Sequence, residues 1–307
     1  MLKYCAKRLL MMIPILLGIS FIVFAIINMA PGDAARMILG QGATEEEIEA
    51  LRESLGLNEN FFLRYFKYIF NVFCGNLGTS YRSSATVAGE LGARIPTTLK
   101  LAVGSILLTI LFGVLFGVIA AVKRNTPIDA GISVCALTLT SVPSFWLGLL
   151  LMLVFALKLQ LVPSIGSDSW KCFILPCITL SASSIGSVTR MTRTSVLEVI
   201  EQDYVRTARS KGLRESVVIF RHVLRNSLLP IITTIGLNFA SLMGGAVVTE
   251  NVFGMSGIGT LLVNSVGSRD TPMIMGCVLF IATVICVINL VTDILYTFVD
   301  PRLRIKG

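Results

Sequence analysis

Six apolar stretches dominate this chain of 307 residues, near 9–29, 99–122, 131–157, 173–191, 228–250 and 272–297. Crossing about 30 Å of hydrocarbon takes around 20 helical residues, and inside it only a helix or a closed barrel satisfies its own backbone. Runs of this length and composition therefore restrict the chain to a bundle of membrane-spanning helices. Charged residues make up 14% of the chain and hydrophobic ones 54%, whereas a soluble domain carries about a quarter charged residues. The fourth run is the most dilute, because Thr179, Ser181, Ser183, Ser184, Ser187 and Thr189 interrupt it. The first follows Lys3, Lys7 and Arg8. It is too long for a signal-peptide core and no Ala-x-Ala site follows, so it is expected to stay as an anchor.

Orientation follows from the basic residues, which stay on the cytoplasmic side of a membrane. With the N-terminus inside, the segments 1–8, 123–130, 190–227 and 298–307 are cytosolic and hold sixteen of the 26 Lys and Arg residues. The formal net charge of +8 is thus a topology signal. Nucleic-acid binding would need a basic soluble domain interleaved with aromatics, and none is present.

The segment between the fourth and fifth runs carries eight basic residues: Arg190, Arg193, Arg206, Arg209, Lys211, Arg214, Arg221 and Arg225. Within it, Asp203 is placed to cap a short helix and Gly212 to end it. Ala208 and Gly212 share one face of about two turns, which would let a partner surface approach closely. A membrane protein that shows the cytosol such a helix is expected to dock something there.

The region 30–98, outside on this topology, opens a helix with Thr44 and Glu47 in capping-box spacing, followed by Ile48, Leu51 and Leu55. A second amphipathic helix, about 59–73, bears Phe62, Tyr65, Phe66, Ile69 and Phe73. That stripe is expected to pack on neighbouring spans, the alternative being the membrane interface. Pro143 falls within the third run, where a kink is expected. Gly113 and Gly117 form a small-xxx-small pair suited to helix packing.

Several chemistries are excluded. The single histidine, His222, removes most histidine-based catalysis and any His-rich metal site, and the phosphate-binding Gly-x-x-x-x-Gly-Lys-Ser/Thr motif does not occur. Seven cysteines without a Cys-x-x-Cys pair read as small apolar residues. Glu250 and Asp293 are the ionisable residues near span ends; both are expected to be solvated and structural. An ion-coupled transporter would show midplane charges and an inverted repeat. An intramembrane protease would show a paired nucleophile and base. The sequence offers neither arrangement, and no catalytic residue, metal ligand or cofactor site is expected.

The motifs resemble one family along essentially the whole chain. They include Pro31-Gly-Asp33, Leu55-Gly-Leu57, Gly75-Asn-Leu-Gly-Thr-Ser80, Arg94-Ile-Pro-Thr-Thr-Leu99 and Ser141-Val-Pro-Ser-Phe-Trp-Leu-Gly148. Glu250-Asn-Val-Phe253, Gly257-Ile-Gly259, Arg269-Asp270, Asn289-Leu-Val-Thr-Asp293 and Asp300-Pro-Arg-Leu-Arg304 follow in order. The most specific is Asp203-Tyr-Val-Arg-Thr-Ala-Arg-Ser-Lys-Gly-Leu213 with Arg221-His-Val-Leu-Arg-Asn226 and Pro230. Together they resemble permease subunits of bacterial ABC importers in the dipeptide, oligopeptide and nickel branch. Ala34 replaces the family's second proline after Pro31-Gly-Asp33, and Ser256 stands where proline is usual.

The resemblance implies an all-α integral membrane protein with six transmembrane helices in the bacterial inner membrane, both termini cytosolic. Residues 1–30 would form the tail and first span, 31–98 an extracytoplasmic helical insertion, 99–297 a five-span core including the coupling loop 190–227, and 298–307 the C-terminal tail. The implied partners are a homologous second permease, two cytosolic ATPases, an extracytoplasmic substrate-binding protein and membrane lipid. Asp203, Tyr204, Arg206, Ala208, Arg209, Gly212 and Leu213 would contact an ATPase. Tyr204 and Leu213 would fill apolar pockets there, and the arginines would meet acidic rims. Ser141, Pro143, Ser183, Ser187 and Glu250 are the pathway or gating candidates. The implied cargo is a di- or oligopeptide, with glutathione and nickel or metal chelates as alternatives.

Overall fold

In a computed structural model, which describes residues 2–29, 32–40 and 42–299, the described residues form helices joined by loops, with one isolated bridge between Thr79 and Thr86. Pro31, and the tail motif that begins at Asp300, lie outside the described residues. In order, the helices are α1 (Leu2–Met29), α2 (Ala34–Leu39), α3 (Glu45–Ser54), α4 (Phe61–Phe73), α5 (Val87–Val122), α6 (Pro127–Ser141) and α7 (Ser144–Leu151). There follow α8 (Ile174–Ile200), α9 (Asp203–Ser210), α10 (Glu215–Val217), α11 (Arg225–Val252), α12 (Ile258–Gly267) and α13 (Thr271–Val299). A π-helical stretch, Met152–Lys158, continues α7, a 3₁₀ turn, Trp170–Phe173, leads into α8, and a second π-helical stretch, Val218–Leu224, joins α10 to α11.

Five of these helices are long and apolar enough to span a membrane. The pair Pro127–Ser141 and Ser144–Lys158 makes a sixth if counted as one broken span. Pro143 does more than the expected kink. The two parts of this span turn through 104°, because Pro143 lacks an N–H and holds extended backbone (ψ 131°) ahead of α7. The second span also starts earlier than its apolar run. Thr86 accepts the Gly89 N–H at 3.3 Å, so the helix begins at Val87 and takes in Arg94 and Pro96.

The chain divides into two compact units. One comprises Lys7–Thr98 and Ser256–Val284. In it, α4 lies along α1. Tyr65 donates to the Leu17 carbonyl at 3.0 Å and sits 3.0 Å from the Ser20 hydroxyl, and the rings of Phe21, Phe24, Phe61 and Tyr65 pack edge-on or tilted. The aromatic stripe of α4 is split between two faces. Tyr65 is buried and packs on α1 together with Ile69, but Phe62, Phe66, Phe70 and Phe73 stay exposed. On a 3.6-residue period those four fall on a separate apolar face, away from Tyr65. The capping box of α3 forms as expected, with Glu47 N–H to Thr44 Oγ1 at 3.3 Å and Thr44 N–H to Glu47 Oε2 at 2.8 Å.

Two charged groups tie this unit together. Asp33 caps α2 through the Ala35 N–H and holds Arg52 of α3 by two contacts, at 2.9 and 2.7 Å. Burial pushes its carboxyl pKa up, but the Arg52 guanidinium and the Ala35 N–H outweigh this and hold it below the usual value. Asp270 is buried at the start of α13 and accepts from Ser80, from the Tyr81 N–H at 3.2 Å and from the Met273 N–H at 3.4 Å. The loop 76–86 is thereby pinned to α13.

The other unit, centred on residues 99–255, is built around α8. Its span is the least hydropathic of the five yet 67% of it is buried, against 11–39% for the others. The Ser, Thr and Gly residues that dilute its apolar run explain this. Small side chains allow backbones to approach closely inside a bundle. An added Cβ on Gly113 of α5 would sit 2.8 Å from Val188, and one on Gly117 would sit 2.4 Å from Thr192 and 2.7 Å from the Thr189 carbonyl. At Gly186 of α8 an added Cβ would meet the Ala136 carbonyl of α6 at 2.4 Å. The Gly113–Gly117 pair is a packing device, as its spacing predicts. Gly117→Val is expected to lower the melting temperature of the purified protein, at a cost of about 1–3 kcal/mol or more for overpacking. Gly131→Ala, inside α6 where nothing lies within 4 Å, is expected to leave it unchanged or raise it slightly. Equal melting temperatures for both variants would contradict this packing.

Candidate functional site

Helix α9 runs two turns, Asp203–Ser210, between the end of α8 and the α10–α11 segment. Its ends are formed differently from the expectation at one side only. The N-cap is Gln202, in extended backbone and without a side-chain cap, and Asp203 is the first helical residue. From there Asp203 does not cap; its charge complements the positive end of the helix, and it faces Arg206 at 3.9 Å. At the other end Gly212 adopts φ +76° and its N–H reaches the Arg209 carbonyl at 2.9 Å. That is the left-handed stop its sequence position predicts.

The faces of α9 are sharply divided. Val205 and Ala208 are buried, with Val118 and Ala121 of α5, Val196 of α8, and Val218, Ile219 and Val223 of the π-helical stretch. Ala208 is therefore small because its own chain packs over it, which corrects the expectation that it faces a partner. An added Cβ at Gly212 meets nothing within 4 Å. Tyr204, Arg206, Arg209 and Leu213 are all exposed. Arg209 donates to Glu215 at 3.2 and 2.8 Å across the Gly212 turn, and this hydrogen bond raises its pKa.

The platform under α9 is stapled by polar contacts that the sequence did not reveal. Arg193 of α8 grips Asp129 of α6 through two parallel contacts, at 2.6 and 2.8 Å, and the Asp129 side chain is 7% exposed. Asp129 also accepts the Asn125 N–H at 3.1 Å. Ser227 of α11 donates to the Ser195 carbonyl of α8 at 3.1 Å, and Arg124 pairs with Glu201. Arg190 and Arg193 were expected in a loop beginning at 190. The helix instead continues to Ile200, so both lie on α8.

The pathway candidates do not form one site. Ser141 and Pro143 line an open cavity of about 520 Å³ at the break between α6 and α7, with Phe145 and Trp146 among its walls. The Ser141 hydroxyl bonds back to the Leu137 carbonyl at 2.9 Å. Ser183 is exposed and Ser187 half-buried, on a face of α8 shared with the exposed Arg190 and Thr194. Glu250, expected to be solvated, has no exposed surface. Helix α11 runs on to Val252 and the 253–255 turn folds back, with the Met255 N–H on the Glu250 carbonyl at 2.8 Å. Among the described residues no three His, Cys, Asp or Glu side chains gather as metal ligands.

Helix α9 is thus seated on the ends of α5 and α8 and on the π-helical stretch that leads into α11. Residues 113–305 match the model of the binding-protein-dependent transport system inner membrane component, and residues 1–102 match its N-terminal companion. The chain belongs to this family. It is a permease subunit of a binding-protein-dependent ABC importer, a multi-pass inner membrane protein that works with ATPase and substrate-binding partners. It is 42% identical over 306 residues to the glutathione transport system permease protein GsiC of Escherichia coli K12, covering 100% of each chain. The GsiC protein of Salmonella choleraesuis SC-B67 matches to the same extent. Two crystal forms of the inward-facing MetNI methionine ABC transporter share the fold. Their TM-scores are 0.57 and 0.59 at 16% and 18% identity, over 68% and 69% of this chain and 96% of each of theirs.

Val205 separates the internal from the external face of α9. Val205→Asp would bury an unpaired carboxylate, at a cost of several kcal/mol. It is expected to expose residues 201–214 to protease and to lower the melting temperature. Arg206→Glu, on the exposed face, should change neither. A stable, protease-resistant Val205→Asp variant would mean that α9 is not seated as described.

Proposed function

We propose that this permease carries half of the translocation path for small peptides, glutathione included, and that α9 is where its ATPase drives it. One observation carries the coupling role: the apolar face of α9 is locked to α5, α8 and the segment leading into α11, while Tyr204, Arg206, Arg209 and Leu213 are left exposed. A force on that exposed surface reaches three spanning helices through packed side chains rather than through a flexible loop. Two states of the bundle, biased by ATP at one end and by cargo delivery at the other, are then linked in both directions.

On this reading the chain has both termini in the cytosol. It pairs with a homologous permease, and two ATPase subunits bind at the α9 end. ATP hydrolysis belongs to those subunits, and this chain itself has no catalytic role. Residues 30–98 lie outside the membrane and receive the substrate-binding protein, with the acidic start of α3 and the loop 76–85 as contact features. Peptide cargo is supported by the 42% identity to permeases named for glutathione transport, since glutathione is a tripeptide. Within the path, Ser183, Ser187 and the Ser141–Pro143 elbow are the lining candidates.

Two experiments test the reading. Impermeant thiol reagents added from outside should label Ser83→Cys and spare Ser210→Cys; the reverse pattern would overturn the topology and the docking role with it. In proteoliposomes holding the whole transporter, binding-protein-dependent uptake of glutathione is expected. Gly212→Asp should insert and pair normally but release its ATPases and lose uptake. Uptake of nickel with no uptake of glutathione or di- and tripeptides would replace the cargo, and full activity in Gly212→Asp would remove α9 from the coupling role.

A further inference from the structure

Arg190 is a cation in an unusual place. Gly113 and Gly117 of α5 pack against Val188 and Thr192 of α8, so Arg190 stands level with them. Five further apolar residues, 118–122, follow on α5 before Lys123, which is about 7.5 Å of helix. Arg190 is therefore within the depth of the apolar span. Its neighbour Arg193 is held by Asp129, but among the described residues no carboxylate stands within ion-pair distance of Arg190.

The direction of the side chain matters as much as its depth. In a helix the Cα–Cβ bonds tilt toward the N-terminus. On α8 that is away from the α9 end, where snorkelling to the nearer interface would have to go. One and two turns before it in that direction, on the same face, are Ser187 and Ser183. Together with Met191, Thr194 and Glu198 they form a continuous exposed or half-buried stripe along the C-terminal half of α8. Glu198 is two turns beyond Arg190 and is the only acidic residue on that stripe. A guanidinium facing lipid or apolar protein at this depth would be costly, so intramembrane cations face water or an opposite charge.

We propose that the Ser183–Ser187–Arg190 face of α8 lines the aqueous path and that Arg190 is a specificity-determining residue which attracts the carboxylate of the cargo. The inference rests on the importer reading above and narrows its substrate class to cargo whose carboxylates outnumber its ammonium groups, as in glutathione. The two serines supply hydroxyls beside the cation without enclosing a tight site, so the cargo is drawn inward and released. Low affinity is what a path fed by a binding protein requires.

The local field can be read without cargo. In the whole transporter with all native cysteines replaced, Ser187→Cys is reacted with an anionic sulfonatoethyl and a cationic trimethylammonioethyl methanethiosulfonate. Both should react, the anionic one faster. Arg190→Gln should lower the anionic-to-cationic rate ratio about tenfold, a lower bound for charge focusing in a cleft, and Arg190→Lys should restore it. Arg190→Gln should also slow glutathione uptake at saturating binding protein, with the ATPase rate and the cargo affinity of the binding protein unchanged. No reaction with either reagent would place the stripe against lipid, and loss of permease pairing in Arg190→Gln would give Arg190 a partner carboxylate instead; each overturns the proposal. A changed ratio with unchanged uptake would remove its role in cargo selection. If the wild type moves no peptide while the ratio still responds, the cargo reading fails and the electropositive path stands.

Discussion

The close approach of α8 to its neighbours is the constraint from which the rest of the core follows. Where α5 crosses α8, glycine at 113 and 117 brings the two backbones to a separation that no side chain would permit. Where α6 crosses it, Gly186 does the same from the other partner. Lipid offers apolar helices no hydrophobic reward for association, so packing of this kind has to supply it. Once α8 is fixed, the Asp129–Arg193 pair and the Ser227–Ser195 contact set the ends of α6 and α11 against it, and α9 has a floor to sit on.

This explains why the span with the poorest hydropathy is the most buried. Hydropathy measures suitability for lipid, and α8 turns most of its span to its own bundle. Its threonines illustrate the cost of the arrangement. Thr179, Thr189 and Thr192 are buried with no hydrogen-bond partner for their hydroxyls among the described residues. The methyl-bearing side chains of Thr192 and Thr179 instead fill the grooves that Gly117 and Gly148 leave open. Shape has taken precedence over polar satisfaction at those positions.

Much of the fold was legible in the sequence, and the failures share a cause. The apolar runs, the capping box at Thr44 and Glu47, and the stop at Gly212 are all local, and local rules found them. Burial of Glu250 and Ala208 depends on segments far away in sequence, and so does the partnership of Arg193 with Asp129, which are 64 residues apart. By charge alone Arg190 and Arg193 read as the start of a loop, whereas α8 carries both. A helix that runs past the membrane can stay helical with charges on it, as α8 does to Ile200. The resemblance to importer permeases was carried by ordered motifs and needed none of this geometry. What the geometry added was the direction in which each face of α9 points.

The π-helical stretch Val218–Leu224 has a consequence for how that face is held. In an α-helix, residues five apart point about 140° away from one another. In a helix closed by i→i+5 bonds they come round to nearly the same side. Val218 and Val223 can thus both enter the cluster around Val205, while Arg221 between them stays in solvent. With Ile219 beside Val218, the wider winding makes a three-residue apolar clasp on the underside of α9.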